Sequence, residues 1–257
     1  MMIKFEINGY IARLTFDNDK KRNSLNTQML DEIIEALDKV TDDIRVLIIS
    51  ANKGTKVWSA GFNIDELPKP GQDPLPYDHP LERVLRKVQQ VKCPVIAEIE
   101  GSVWGGAVDL VTRCDILVGT TKTTFAITPA KIGVPYNTSG ILRVLNAVNP
   151  NIAKEMFFTA KPIHAERALQ LGLLNHLVTP DQLHDFVQEM AENIAGNSPL
   201  SIRVIKEQIN IITNAYAISI NASEKIDQIR RVAYNSEDYN EGIQAFEEGR
   251  RPIYKGK

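Results

Sequence analysis

The stretch Val95-Ile96-Ala97-Glu98-Ile99-Glu100-Gly101-Ser102-Val103-Trp104-Gly105-Gly106-Ala107 decides how the chain is read. Its first five residues, four of them apolar, predict a strand, and the glycines that follow predict a loop opening a helix after Trp104. The same order occurs upstream, where the apolar strand at Val46 to Ser50 leads toward Val57-Trp58-Ser59-Ala60-Gly61-Phe62-Asn63-Ile64-Asp65-Glu66-Leu67. Each glycine-bearing segment is expected as a loop leaving a strand. In open α/β architectures such loops gather at the carboxyl edge of the sheet, where small residues let backbone N–H groups approach a ligand. Two inward-pointing amides from two loops would make an oxyanion hole. A glycine pair before a helix is also the ordinary mark of close packing, and the residues alone leave both readings open. Neither loop carries the Gly-rich spacing followed by Lys-Ser/Thr of a phosphate-binding loop.

Outward from these segments the chain alternates. Ile3 to Ile7 and Tyr10 to Phe16 read as a hairpin around Asn8-Gly9. Leu30, Ile33, Ile34, Leu37 and Val40 recur at helical spacing within Thr27 to Val40. A helix around Leu81 to Gln90 and a strand at Asp115 to Gly119 continue the pattern. Such alternation predicts an α/β core with largely parallel pairing. After about Asn137 helices dominate, at Gly140 to Ala147, Ile152 to Phe158, Ala165 to Leu171 and Asp181 to Ile194, with strand character returning at Leu174 to Val178. Gly196-Asn197-Ser198-Pro199 breaks the chain into a core, 1–195, and a C-terminal helical region, 196–257, read as helices from Leu200 through Gly249. The apolar face of Ile202, Ile205 and Ile209 either completes the same core or packs against another subunit.

The bulk numbers exclude several classes. With 257 residues, 43% of them hydrophobic and a net charge of -2, this is a folded domain without the basic excess of a polyanion binder. No apolar run reaches the roughly 18 residues needed to span a bilayer, and Met1 to Phe16 alternates instead of forming a leader, so the expected setting is cytoplasmic. Cys93 and Cys114 lack metal-ligand spacing and read as buried reduced thiols, so no metal site is expected.

Four segments in order, Arg22-Asn23-Ser24-Leu25-Asn26, Ser59-Ala60-Gly61-Phe62-Asn63-Ile64, Gly101-Ser102-Val103-Trp104-Gly105-Gly106-Ala107 and Gly133-Val134-Pro135, resemble the crotonase (enoyl-CoA hydratase/isomerase) superfamily across nearly the whole chain. The tail from Asp238 through Phe246 to Arg250-Arg251-Pro252 is similar to the family's C-terminal segment. The resemblance implies an α/β spiral of ββα repeats followed by a helical trimerisation region, with trimers often pairing into hexamers. It implies an acyl-CoA thioester as partner, with coenzyme A part of the substrate and no separate cofactor, and neither nucleic acid nor membrane. By carry-over, the backbone amides of Phe62 and Gly106 bind the thioester oxygen. Loop backbone at Ser24, Leu25, Ala60 and Ile64 holds the coenzyme, with Gly105 and Pro135 also at the substrate, and Phe246 and Lys255 reach a neighbouring subunit's ligand.

Hydratases of this superfamily place one glutamate three residues after the oxyanion-hole glycine and another just after the following strand. This chain has Asp109 at the first place and Pro129 at the second. Proline neither activates water nor returns a proton, so hydration is disfavoured, while Asp109 keeps an isomerase open. The segments Thr128-Pro129, Gly133-Val134-Pro135-Tyr136-Asn137, Tyr234 to Tyr239 and Asp73-Pro74-Leu75 resemble the decarboxylating members. That implies loss of CO2 from methylmalonyl-CoA or a related malonyl-CoA thioester through an enolate held by the oxyanion hole, with Tyr136 orienting the departing carboxylate. The alternatives are an enoyl-CoA hydratase/isomerase and a non-catalytic acyl-CoA-binding scaffold. The resemblance would put His and Asp where this chain has Phe62 and Asn63. His79, His164, His176 and His184 lie outside the motifs and read as surface or structural.

Overall fold

The computed structural model describes residues 1–215 and 218–257. The chain opens with antiparallel strands β1 (Ile3–Asn8) and β2 (Ile11–Phe16), Ile3 facing Phe16 and Asn8 facing Ile11. The turn falls on Gly9 and Tyr10, one residue later than Asn8-Gly9, and Gly9 supplies the positive φ of 57°. Helix α1 (Thr27–Asp38) starts where Asn26 Oδ1 accepts the Met29 N–H at 2.9 Å, and it buries Met29, Leu30, Ile33 and Leu37 on one face. There follow β3 (Val46–Ala51), β4 (Val57–Ser59), α2 (Pro80–Gln90), β5 (Val95–Ile99), β6 (Ser102–Trp104), α3 (Gly106–Val111), β7 (Ile116–Thr120) and β8 (Thr124–Ala126). Then come α4 (Thr138–Ala147), α5 (Pro150–Thr159), β9 (Ile163–His164), α6 (Ala165–Gln170), β10 (His176–Val178) and α7 (Leu183–Ala195).

Strands β1-β2-β3-β5-β7-β10 form one sheet, parallel from β2 onward. The unbroken apolar run of β3 is explained by cover on both faces. Leu47 and Ile49 enter the main core, while Val46 and Ile48 pack with Leu183, Val187 and Ala191 of α7.

A second sheet, β4-β6-β8-β9, corrects the expectation that the two glycine segments are plain loops. Each begins as a three-residue strand, β4 or β6, before turning into its glycines. Strands this short leave no periodicity to read. They nevertheless seat the site: Trp58 of β4 is fully buried, meets Phe16 edge to face with ring centroids 4.9 Å apart, and donates its indole N–H to the Glu98 carbonyl at 2.8 Å. Truncating so large a buried ring costs about 3–5 kcal/mol in typical cores. The pairs β3-β4, β5-β6 and β7-β8, with α3 after the second, are the ββα units of the spiral.

Beyond Gly196 the chain forms α8 (Pro199–Thr213), α9 (Ile220–Tyr234) and α10 (Glu237–Glu247); the helical run expected from Leu200 through Gly249 crosses positions 216 and 217, which lie outside the described residues. Helix α8 buries none of its residues, and Ile205 and Ile209 are each 54% exposed, so this face does not complete the chain's own core. Helix α10 does return to it. Tyr239 is fully buried and donates to the Pro68 carbonyl at 3.0 Å, while Gly242 lies so close to Ile132 that a Cβ would stand 2.3 Å from its carbonyl oxygen. Among the described residues no helix is long and apolar enough to cross a membrane. Cys93 and Cys114 are buried free thiols, and burial pushes the first up to about 11 and the second further.

Candidate active site

The Arg22–Asn26 segment fastens the first glycine loop. Buried Asn23, at a left-handed φ of 49°, donates its amide to the Trp58 carbonyl at 3.1 Å, and Ser59 Oγ donates to the Asn23 carbonyl at 2.7 Å. Leu25 then forms a parallel bridge with Phe62: its N–H donates to the Gly61 carbonyl at 2.8 Å and its carbonyl accepts the Asn63 N–H at 3.1 Å. In a parallel bridge the residue bracketed by those two bonds turns its own N–H to the opposite side. That residue is Phe62.

Gly61, at φ 84°, passes the second loop so closely that a Cβ would meet the Trp104 carbonyl oxygen at 2.3 Å and the Gly106 nitrogen at 2.9 Å. Only glycine fits there. Gly106 begins α3 and, like other first-turn amides, has no partner inside its helix. The Phe62 nitrogen lies 3.4 Å from where a Cβ of residue 106 would stand. Neither the Phe62 nor the Gly106 N–H has an acceptor among the described residues. Two free amide donors therefore stand side by side.

Both residues line a largely apolar cavity together with Ala60, Ile64, Gly105, Asp109, Pro129 and Tyr136. The structure thus gathers all four residues expected to be catalytic and three of those expected at the substrate. Leu25 acts from behind, through the bridge, and Ser24 is half-buried beside it. Pro135 lines two neighbouring hollows, one of which it shares with Tyr136. Phe246 and Lys255 are exposed near the C-terminus and do not line this cavity.

Asp109 is 2% exposed, and its Oδ1 has no hydrogen-bond partner among the described residues. Burial raises its pKa to about 6, opposed by the charge of Arg113 and reinforced by Glu82. The Tyr136 hydroxyl is likewise buried without a partner, its ring edge to face with Phe157 at 5.0 Å. Burial, then the charge of Asp109, holds its pKa well above the usual phenol value, so it stays a neutral donor. Asn137 Oδ1 caps α4 by accepting the Gly140 N–H at 2.9 Å, and its Nδ2 donates to Glu82, which also accepts from Ser139 Oγ at 3.1 Å. Arg143 carries a guanidinium drawn down to about 10 by burial and by the nearby Arg113.

Sequence reasoning missed several members of this site. Leu67, Leu75 and Leu81 form apolar wall, and Leu81 Cδ2 stands nearest the open face of Gly106. His79, read as peripheral, meets the Phe62 ring edge to face at 4.7 Å, while its Nδ1 accepts the Leu81 N–H at 3.2 Å and starts α2. Burial pulls its pKa below the ordinary value. No local motif announces that contact; it exists because the loop before α2 folds back over the first glycine segment.

The family model for enoyl-CoA hydratase/isomerase matches residues 6–257. The chain belongs to the enoyl-CoA hydratase/isomerase family. This family member is 41% identical over 247 residues to methylmalonyl-CoA decarboxylase of Escherichia coli (strain K12), covering 96% of this chain and 95% of the relative. It is 28% identical over 253 residues to a short-chain-enoyl-CoA hydratase of Clostridium acetobutylicum, covering 96% and 94%. Among solved structures it superposes with a TM-score of 0.98 and 40% identity on a methylmalonyl-CoA decarboxylase in complex with 2-nitronate-propionyl-CoA, covering 100% of this chain and 99% of that one.

Proposed function

We propose that the chain is a carboxy-lyase that removes CO2 from methylmalonyl-CoA, or from a related malonyl-CoA thioester, to give propionyl-CoA or its analogue. The observation that carries this reading is the pair of unpartnered amides at Phe62 and Gly106, in a cavity where Pro129 takes the place of a second carboxylate. When the carboxylate leaves, its bonding electrons flow into the thioester and charge accumulates on one oxygen. Fixed donors in a water-poor cavity stabilise that charge more than they stabilise the neutral thioester, which is the condition for acceleration. Loss of one such donor in a well-studied protease costs roughly 3–4 kcal/mol of barrier.

Tyr136 holds the departing carboxylate by donating its hydroxyl, which has no other partner among the described residues. A neutral phenol binds the anion without stabilising it as strongly as Lys or Arg would, so the ground state is not deepened at the expense of the transition state. The backbone around Ser24, Leu25, Ala60 and Ile64 takes the coenzyme, which is part of the substrate; the reaction uses no separate cofactor. The exposed apolar residues of α8, Leu200, Val204, Ile205 and Ile209, form the face on which three copies associate, bringing Phe246 and Lys255 to a neighbour's ligand. A cytoplasmic setting, where Cys93 and Cys114 stay reduced, belongs to the same reading.

The test is incubation of the purified protein with methylmalonyl-CoA, with products followed by mass spectrometry. Propionyl-CoA and CO2 are expected. Absence of turnover, together with hydration of crotonyl-CoA, would replace the reading with a hydratase.

A further inference from the structure

Decarboxylation leaves an enolate whose α-carbon must gain a proton, and the groups already assigned do not supply it. The amides of Phe62 and Gly106 hold the oxygen and keep their hydrogens. Tyr136 donates to the carboxylate and holds its proton tightly. His79 packs against the Phe62 ring and is not part of the cavity lining, and Pro129 has no proton to give. Asp109 remains, a buried carboxyl lining the same cavity with one oxygen unpartnered among the described residues.

We propose that Asp109, in its protonated form, is the general acid that delivers a proton to one face of the α-carbon of the thioester enolate. The assignment rests on the decarboxylase reading. Asp109 follows Gly106 by three residues, about one turn further along α3, and both residues line the same cavity. The amide holds the thioester oxygen, and the α-carbon is bonded to the carbon bearing that oxygen. The acid thus shares the cavity that receives the atom needing the proton.

The electrostatics favour this protonation state. Burial and the charge of Glu82 on α2 favour the neutral acid, whereas Arg113, Tyr136 before α4 and Arg143 favour the carboxylate, and burial outweighs them. Burial already lifts the Asp109 pKa to about 6. Arrival of the substrate carboxylate adds a second negative charge in the same cavity, and two carboxyl groups so placed do not both ionise readily. Substrate binding thus holds the acid protonated until CO2 has gone.

The step balances. The bond between the α-carbon and the carboxylate breaks, CO2 departs, and the electron pair becomes the enolate. The enolate pair then forms a C–H bond with the Asp109 proton as the thioester carbonyl is restored. Asp109, left as carboxylate, takes a proton from water, so each turnover consumes one solvent proton.

The experiment is turnover of methylmalonyl-CoA in D2O, comparing wild type, Asp109→Asn and Asp109→Glu, with the configuration of the monodeuterated propionyl-CoA read by NMR after derivatisation. Wild type is expected to place deuterium in one configuration. Asp109→Asn lowers kcat by about 100-fold, within the usual range for general acids, leaves KM near wild type and scrambles the label. Asp109→Glu restores a single configuration. Racemic product from wild type, or full rate and a single configuration from Asp109→Asn, overturns the assignment while leaving decarboxylation standing. Absence of CO2 release by wild type overturns the decarboxylase reading and the acid with it.

Discussion

Single atoms decide most of the chemistry at the residue scale. Replacing Tyr136 by Phe removes the hydroxyl proposed to meet the carboxylate and little else, since the ring contact with Phe157 is kept. A hydrogen bond to a charged group contributes about 1.5–3 kcal/mol, so kcat/KM for methylmalonyl-CoA should fall by about 10- to 100-fold, measured in a steady-state CO2-release assay. Unchanged decarboxylation would remove Tyr136 from the mechanism. Asp109 makes a separate prediction for stability. Its folded pKa, about 6, lies above its unfolded value of 3.8. The stability this group contributes is therefore fully present below pH ~4 and is lost as pH rises through about 6, because the folded chain binds the extra proton over that window. Asp109→Asn carries no such charge, so its stability relative to wild type should improve between pH 4 and pH 8 by on the order of 2–3 kcal/mol. Denaturant titrations of both proteins across that range check it, and a pH-independent difference would refute it.

At the scale of elements, two loops must cross within van der Waals contact for the amides to meet. Gly61→Ala puts a Cβ 2.3 Å from the Trp104 carbonyl and requires a φ of 84°. Overpacking and left-handed strain together should cost about 2–5 kcal/mol and part the two amides, lowering Tm and abolishing turnover. Activity at the wild-type level in that variant would show that the loops need not touch. Asn137 joins two elements, capping α4 while holding the Glu82 carboxylate of α2. Loss of a cap costs about 1 kcal/mol, and loss of a hydrogen bond to a charged group adds about 1.5–3 kcal/mol, so Asn137→Ala should destabilise by about 2–4 kcal/mol in urea unfolding. These features differ in how readable they were. The strand-glycine-helix order around Gly106 was visible because long apolar runs and glycines carry their own signal. Strands β4, β6 and β8 were not, because three residues held by a neighbouring sheet need no pattern of their own.

For the whole molecule, the C-terminal helices divide their work. Helix α10 packs back on the core through Tyr239 and Gly242, whereas α8 leaves its apolar side chains exposed. Burying that face against other copies contributes roughly 25 cal/mol per Å2, and a charge placed on it removes the gain. The double change Ile205→Glu with Ile209→Glu should convert the proposed trimer to monomers in sedimentation velocity, with the circular dichroism spectrum retained. Monomeric wild type would refute the role given to α8.

The sequence alone determined the α/β alternation, the family motifs and the proline at the place of the family's second glutamate, because helix and strand periods and glycine spacings are local properties of the chain. It also marked Asp109 and Tyr136. Only the tertiary structure decided that the Phe62 and Gly106 amides stand together, that His79 rests on Phe62, and that Asp109 is buried without a full set of partners. Those facts depend on which segments meet across the two sheets, and both the direction of a free N–H and the pKa of a buried carboxyl are set by neighbours distant in the chain.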